Sequence, residues 1–384
     1  MKVLYYIHNS SHVEGSYISL ITMVEYMKHK GIEVAIAANR DLMSSVAFHD
    51  FCQSYKIPIY YLQIYLSVNK KPVGLQGNLL YIIWVLLALR HKWKCAVALN
   101  RVVKKERPDI IHTNTGVLHE GFWVAKINAI PHVWHLREYQ DLDFCRSIYP
   151  TKRFFEMLLK RSESVIALTC DIRRHFDLSE SCIAHVVYNG VCFRDDLQLI
   201  MPKKKYFLIA SRISEEKGIS EIIYEFIKFH KNNKKYDLLI AGEISELNKS
   251  IVDKFKDTEY IKFLGWKNKK ELRTLMSNAT ALIVNSRYEG FGRMTAEAIC
   301  NGCLVIGKNC GGTKEIIEKT NGGWGYNDYD EFYGCMENVI NIDEHSYNEK
   351  VLKSQHIAKS LFSIESYGDA VLNIYRKLLK SDRD

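Results

Sequence analysis

The chain has 384 residues, 47% hydrophobic and 25% charged, which is enough apolar material for two cores and shows no low-complexity or fibrous bias. Its formal net charge of +9 sits mainly in the first half, and no recognition helix, basic-aromatic RNA motif or zinc finger accompanies it, so no nucleic-acid partner is expected. Ten cysteines are scattered without a Cys-x2-Cys pair, the pattern of free thiols in a reducing compartment.

The opening run Met1–Ile7 reads as a β-strand and lacks the zones of a secretory signal, which predicts a cytoplasmic protein. Short apolar runs then alternate with stretches of helical period, the pattern of βαβ units and parallel sheets, so the expected class is α/β. In the first half the predicted strands are Val3–Ile7, Glu33–Ala38, Ile110–His112, His132–His135, Val165–Leu168 and His185–Tyr188. Between the second and third lies Leu79–Leu89, apolar on every face and too short to span a bilayer. Basic residues follow from Arg90 to Arg107, opposed only by Glu106. Two readings fit the segment Leu79–Arg107: a helix buried against the sheet, or a peripheral contact with an anionic membrane surface on its inner leaflet.

The polar stretch 191–205 reads as an interdomain linker, which gives a domain 1–190 and a second domain 206–363. Predicted strands of the second are Tyr206–Ala210, Asp237–Ala241, Tyr260–Leu264, Ala281–Val284 and Leu304–Ile306. After the first of these, Arg212 and Lys217 can converge on phosphate oxygens, a fork and a point cation that neutralise charge on a departing diphosphate. Gly265 and Trp266 close another strand, and packing is the expected fate of the indole. Ligands in open α/β sheets lie beyond the carboxyl ends of strands, so these turns and Gly311-Gly312 should share one crevice.

The most informative segment is Glu289-Gly290-Phe291-Gly292-Arg293-Met294-Thr295-Ala296-Glu297, which follows a strand and opens a helix near Arg293. A helix N-terminus with glycines before it offers backbone N–H groups and a positive dipole end to a diphosphate. Gly290 and Gly292 permit close main-chain approach. Glu297 can accept from two ribose hydroxyls, and Glu289 can reach a hydroxyl of a transferred sugar. Asp141-Leu142-Asp143 and Asp328-Tyr329-Asp330 match a metal-holding Asp-x-Asp spacing but lack its strand context. No metal or cofactor is therefore expected, and Arg212, Lys217 and the helix start supply the positive field instead.

The order Arg-x4-Lys-Gly, Glu-x7-Glu and Gly-Gly-x-x-Glu resembles glycosyltransferase family 4, in particular bacterial members that build surface polysaccharides. The resemblance implies a GT-B fold, two Rossmann-like domains facing each other across a cleft, and retaining, metal-independent transfer of a sugar from a nucleotide-diphospho-sugar. UDP is favoured over GDP by the family's usage alone, and the implied acceptor is a saccharide or lipid-linked saccharide. It also implies that Gly15, with Ser16 where many members have a second glycine, meets the diphosphate. His135 would contact the donor sugar, with Arg137 and Glu138 on the acceptor side. The last helix, within 364–384, should return to the first domain. Two alternatives stand beside this reading: a non-catalytic nucleotide-sugar-binding partner subunit of a membrane transferase, and a non-hydrolysing nucleotide-sugar epimerase.

Overall fold

The computed structural model describes residues 1–9, 15–70, 74–142, 146–196 and 202–381. The chain divides into two compact units, the first made of Met1–Gly190 with Ile364–Asp384 and the second of Val191–Ser363.

The strands of unit one, in chain order, are β1 Lys2–Tyr6, β2 Glu33–Asn39, β3 Ile59–Leu62, β4 Val68–Lys70, β5 Ile110–Thr113, β6 His132–Leu136, β7 Arg146–Ile148, β8 Ser164–Ala167 and β9 Ala184–Val186. Seven of them form one sheet in the order β3-β2-β1-β5-β6-β8-β9, while β4 and β7 pair separately and antiparallel. Every pairing within the large sheet is parallel, and β5, β6 and β8 are buried along their whole length. Parallel strands need crossover helices, and those helices cover both faces. Alternation along β1 divides the core accordingly. Val3 and Tyr5 pack with Leu20, Met23 and Phe48 on one face, and Leu4 and Tyr6 with Leu99, Val103 and Val124 on the other. The helix Ile364–Ser381 belongs to the first face, where Tyr367, Val371, Leu372 and Tyr375 are buried.

The apolar segment of the first half is part of a helix of 33 residues, Gly74–Glu106. Cys95, Leu99, Val102 and Val103 anchor its C-terminal half to the sheet. Lys92 is buried there and donates to Glu120 Oε1 (2.8 Å) and to the Tyr65 carbonyl (2.9 Å), so its charge is neutralised inside the fold. The N-terminal half does not fit the buried alternative: Leu80, Ile82, Ile83, Leu86, Leu87 and Leu89 are all exposed. Among the described residues, no helix is long and apolar enough to cross a membrane.

Unit two has β10 Tyr206–Ala210, β11 Asp237–Ala241, β12 Ile261–Gly265, β13 Ala281–Val284, β14 Val305–Lys308 and β15 Gly323–Tyr326, all parallel, in the order β12-β11-β10-β13-β14-β15. Phe207, Ile223, Phe226, Leu238, Ile306 and Phe332 are fully buried in its core. The stretch read as a linker is held to this unit over its described part. Val191 N donates to the Phe362 carbonyl (2.8 Å), and Lys203 Nζ donates to the carbonyls of Ser277 (2.7 Å) and Gly302 (2.6 Å).

In each unit the strand order reverses direction once, between β1 and β5 in the first and between β10 and β13 in the second. At such a point the two following loops diverge to opposite faces and leave a crevice at the carboxyl ends. The residues singled out in the sequence follow these strands.

Candidate active site

In unit two, the loop after β10 carries Arg212 and Lys217, and the loop after β13 carries Asn285 to Gly292. The sheet order makes these loops neighbours. Lys217 Nζ donates to Glu289 Oε2 (2.9 Å) and to Ser286 Oγ (3.1 Å), joining two segments that are 72 positions apart. Both charged side chains remain about a quarter exposed, so the pair lies on a solvent-facing wall. Gly218 follows at φ +63°, and its carbonyl accepts from Asn285 Nδ2 (3.1 Å), which ties the two loops together beneath the ion pair. Asn285 Oδ1 in turn accepts from the buried Tyr326 hydroxyl (2.6 Å). Burial pushes the nearby Glu221 carboxyl up, but the Tyr329 hydroxyl and the Arg287 guanidinium outweigh it and hold that carboxyl below its ordinary range. Arg212 stands at the rim, largely exposed, with Glu216 3.8 Å away.

The turn Glu289–Gly292 runs directly into the helix Arg293–Cys300, whose cap is Gly292 at φ +84°. A side chain would be strained at that φ. Gly312 N donates to the Glu289 carbonyl (2.7 Å), and a Cβ on Gly312 would sit 2.0 Å from the Phe291 carbonyl oxygen. The two glycine-bearing turns are therefore pressed together by backbone, with Thr295 and Thr313 hydroxyls 3.2 Å apart behind them. Phe291 is buried against Phe362, and Gly290 and Met294 flank the same turn. Glu297 lies one turn into the helix and is paired with Arg293 Nε (2.7 Å). The arrangement presents a helix N-terminus, two cations and two carboxylates at the carboxyl edge of one sheet, a polar and anion-accepting wall. Gly265 ends β12 at φ +67°, and Trp266 is 67% exposed rather than packed, because the turn carries the indole off the end of the strand.

Unit one contributes a different chemistry. Asn114 follows β5, and His135 ends within β6 with Arg137 just beyond it. Arg137 is buried, and its guanidinium donates to Asn114 Oδ1 (2.7 and 2.9 Å), Asn189 Oδ1 (3.0 Å) and the Tyr367 hydroxyl (3.1 Å). Its donors are thus spent within the unit, and it stands as a fixed charge under the carboxyl ends. Arg137 Nη2 also approaches His135 Nδ1 (3.4 Å), and His112 Nε2 lies 3.2 Å from the same nitrogen. Burial first, then the charge of Arg137, holds the His135 pKa well below its ordinary value, so the ring is neutral. A guanidinium can only donate, hence Nδ1 accepts and the proton sits on Nε2. That Nε2 is buried without a partner among the described residues, as are Asn114 Nδ2 and His8 Nδ1 at the ends of the adjoining strands. Three polar nitrogens at the carboxyl ends of β1, β5 and β6 are ready to meet a polar ligand. Glu138 accepts from Thr115 Oγ1 (3.1 Å).

Gly15 opens the helix Gly15–His29, and Ser16 Oγ accepts from Asn9 Nδ2 (2.7 Å); Val13 and Glu14 lie outside the described residues. The Asp-x-Asp candidates have other partners: Asp328 caps the helix Tyr329–Asn341, and Asp141 pairs with His175 (2.7 Å) and Lys152 (3.4 Å), while Asp143 lies outside the described residues. Ser286, Asn114, His8 and the buried tyrosines 367 and 375 were not singled out in the sequence. The rule that ligands gather at strand carboxyl ends could have found the first three. The tyrosines, held by a helix far along the chain, gave no local signal.

Comparison with known proteins relates the chain to glycosyltransferases. The chain is 26% identical over 218 residues to an uncharacterized glycosyltransferase of Methanocaldococcus jannaschii, covering 56% of this chain and 60% of that protein. It is 22% identical over 401 residues to an uncharacterized 42.6 kDa protein in the cps region of Klebsiella pneumoniae, with 98% of each covered. The first relatives matched are spanned over only 60%, 63% and 45% of their own lengths. Among solved structures, Anabaena HepE in complex with UDP superposes with a TM-score of 0.76 at 17% identity, over 98% of this chain and all of that one (100%). The protein therefore has the GT-B fold, and residues 196–345 of its second unit match the family model of Glycosyl transferases group 1.

Proposed function

We propose that the protein is a retaining, metal-independent glycosyltransferase that moves a sugar from a nucleotide-diphospho-sugar, UDP rather than GDP, to a saccharide or lipid-linked saccharide in surface polysaccharide synthesis. It would work at the cytoplasmic face of a membrane. The observation that carries the reading is the Lys217–Glu289 pair, set beside the Gly292-capped helix at the β10/β13 switch point. The helix N-terminus with Arg212 and Lys217 takes the diphosphate, Glu297 the ribose, and Glu289 a hydroxyl of the sugar; Gly265 and Trp266 flank the base. From unit one, Gly15 and Ser16 meet the diphosphate, His135 donates from Nε2 to the donor sugar, and Glu138 with Arg137 behind it orients the acceptor. The sugar–phosphate bond breaks heterolytically, its electron pair leaving on the diphosphate. The acceptor oxygen attacks the same face of the sugar and passes its proton to the leaving phosphate, so no carboxylate nucleophile is required.

HepE, solved with UDP, supports the nucleotide, and the cps-region location of the Klebsiella relative supports the pathway. The test is a panel of UDP- and GDP-sugars with the purified protein, with EDTA present and absent, followed by nuclear magnetic resonance of the product anomer. Nucleotide release insensitive to EDTA and a retained anomeric configuration are expected. An inverted product would overturn the mechanism. If no donor released nucleotide and none raised the melting temperature, the transferase reading would fall and the partner-subunit alternative with it.

A further inference from the structure

The hydrogen bonds behind the Lys217–Glu289 pair run in one direction only. Asn285 follows β13 and is buried immediately before Ser286. Its amide nitrogen donates to the Gly218 carbonyl (3.1 Å) and to Glu221 Oε2 (3.3 Å), while its Oδ1 accepts from the Tyr326 hydroxyl (2.6 Å). A carbonyl and a carboxylate can only accept, so an amide turned over would set oxygen against oxygen at both places. Glu221 thus fixes which way the amide points, and it is itself held by the Tyr329 hydroxyl (2.9 Å) and the Arg287 guanidinium (3.2 Å). Tyr326 ends β15 and reaches Asn285 past β14, a span of two strands or about 10 Å. Burial pushes its hydroxyl far above the ordinary pKa, which keeps it a donor. A Cβ on Gly218 would lie 2.2 Å from Asn285 Nδ2, so only glycine lets the amide rest against that turn. With Asn285 5% and Tyr326 0% exposed, both stand behind the solvent-facing wall rather than in it.

We propose that Asn285, its amide oriented by Glu221 and completed by Tyr326, is a positioning residue that sets where Lys217 stands relative to Glu289 when the sugar–phosphate bond breaks. Its amide grips the backbone next to Lys217, and its own backbone continues into Ser286, whose Oγ accepts from Lys217 Nζ (3.1 Å). The residue therefore braces the cation-bearing loop and the carboxylate-bearing loop against each other. Lysine needs such a brace, because its ammonium rides on a flexible four-carbon stem. Binding of a diphosphate is shared among the helix start, Arg212 and Lys217, so a small displacement of one cation changes affinity little. Stabilising the charge that develops on the leaving oxygen is more exacting, since a misplacement of about 1 Å can cost about 100-fold in rate. The network therefore acts on turnover rather than on nucleotide affinity. Its effect on rate rests on the transferase reading above; its hold on Lys217 does not.

Three variants of the full chain test this. Tyr326→Phe removes one hydroxyl, Asn285→Asp replaces the amide donor by an acceptor of the same shape, and Asn285→Asp with Glu221→Gln returns a donor opposite it at unchanged net charge. Each would be measured for UDP affinity by calorimetry, for kcat and KM of UDP release from a donor sugar, and for melting temperature. Nuclear magnetic resonance of the lysine ammonium groups adds the position of Lys217, its signal identified by loss in Lys217→Arg. We expect kcat to fall about tenfold in Tyr326→Phe and about 100-fold in Asn285→Asp, and to recover in part in the double variant, with UDP affinity within about twofold of wild type throughout. The Lys217 signal should move toward those of exposed lysines in both single variants. A lowered melting temperature with unchanged kcat would overturn the proposal, because a purely structural brace leaves the folded molecules as active as before. Equal losses of kcat and UDP affinity would overturn it too. Should Asn285→Asp fail to fold, Tyr326→Phe, which keeps its ring in the core, decides alone. A wild type that releases UDP from no donor would count against the transferase reading; a displaced Lys217 signal would then still sustain the positioning role, and an unmoved one would refute it.

Discussion

Replacing Glu289 by glutamine keeps the shape of the side chain and removes its charge, so the two consequences can be separated by size. The pair it forms with Lys217 is close, at 2.9 Å, but both side chains are about a quarter exposed. At that exposure the net contribution of an ion pair is about 1 kcal/mol or less, which for a unit of this length lowers the melting temperature by about 2–4 °C. The turn itself survives, because its link to Gly312 uses the Glu289 carbonyl oxygen, which glutamine retains. Lys217 keeps Ser286 and loses its counter-charge, leaving the ammonium more available to a diphosphate. UDP should therefore bind Glu289→Gln as tightly as wild type or more so, while transfer falls about 100- to 1,000-fold, the usual loss when one group that stabilises the transition state is removed. Calorimetry with UDP alongside initial rates with a donor sugar reads both quantities. Unchanged turnover would refute the sugar-positioning role, and a parallel collapse of UDP affinity would show the carboxylate to be a scaffold for the turn.

Three further outcomes follow from particular contacts. Gly312→Ala puts a methyl group 2.0 Å from the Phe291 carbonyl oxygen, and urea unfolding of unit two should register a loss of about 2–4 kcal/mol with UDP binding abolished; a stable variant that binds UDP would contradict the packed-turn account. Lys92→Met leaves the buried Glu120 carboxylate with the Tyr6 hydroxyl but without a counter-charge and should cost about 3–5 kcal/mol, most of it recovered when Glu120→Gln is added, which chemical denaturation of the three variants would measure. Burial, reinforced by the Lys126 charge, depresses His132 from 6.5 to about 3, and burial also holds His112, His119 and His135 well below 6.5. The unfolded chain then takes up protons that the folded chain refuses. Stability should be level above about pH 6.5 and fall below it, by about 1.4 kcal/mol per pH unit for each such histidine until its folded pKa is reached. Urea midpoints that stay constant down to about pH 5.5 would refute this account of the buried histidines.

Strands buried on both faces were the most legible elements: β1, β8, β10 and β13 are nearly continuous apolar runs, while β5 and β6 keep the apolar pairs Ile110-Ile111 and Val133-Trp134 beside buried histidines. Those left unread have other reasons to be strands. β3 is an edge strand with two tyrosines at its centre. β15 carries two glycines, and Gly323 is required because a Cβ there would meet the Val305 carbonyl oxygen at 1.9 Å. Such a glycine reads locally as a turn. The helix Gly74–Glu106 was visible only as the apolar part of its first half, because its basic continuation has the composition of a surface loop. The segment Glu289–Glu297 could be found as strand, glycine turn and helix start, but its contact with Lys217 requires knowing that β10 and β13 are neighbours. Arg137 shows the limit from the other side. Its partners Asn114, Asn189 and Tyr367 lie 23, 52 and 230 positions away, so nothing nearby in the sequence says that its charge is spent internally.

The membership of Ile364–Ser381 in unit one has a consequence for how the protein is made. The chain leaves that unit at Gly190 and re-enters it at Ile364, where a Cβ on Gly190 would lie 2.7 Å from the Ile364 Cα. On a ribosome, therefore, the first unit to begin is the last to be completed. Val191–Ser363 emerges whole and can close its own core while the face of the first sheet that receives Tyr367, Val371 and Tyr375 is covered only in part, by Leu20, Met23 and Phe48 and their neighbours. A nascent chain stopped before residue 364 exposes that apolar face for as long as it is held. Translation of the helix Ile364–Ser381, the element with the least to do with nucleotide chemistry, is the step that closes the first unit's core.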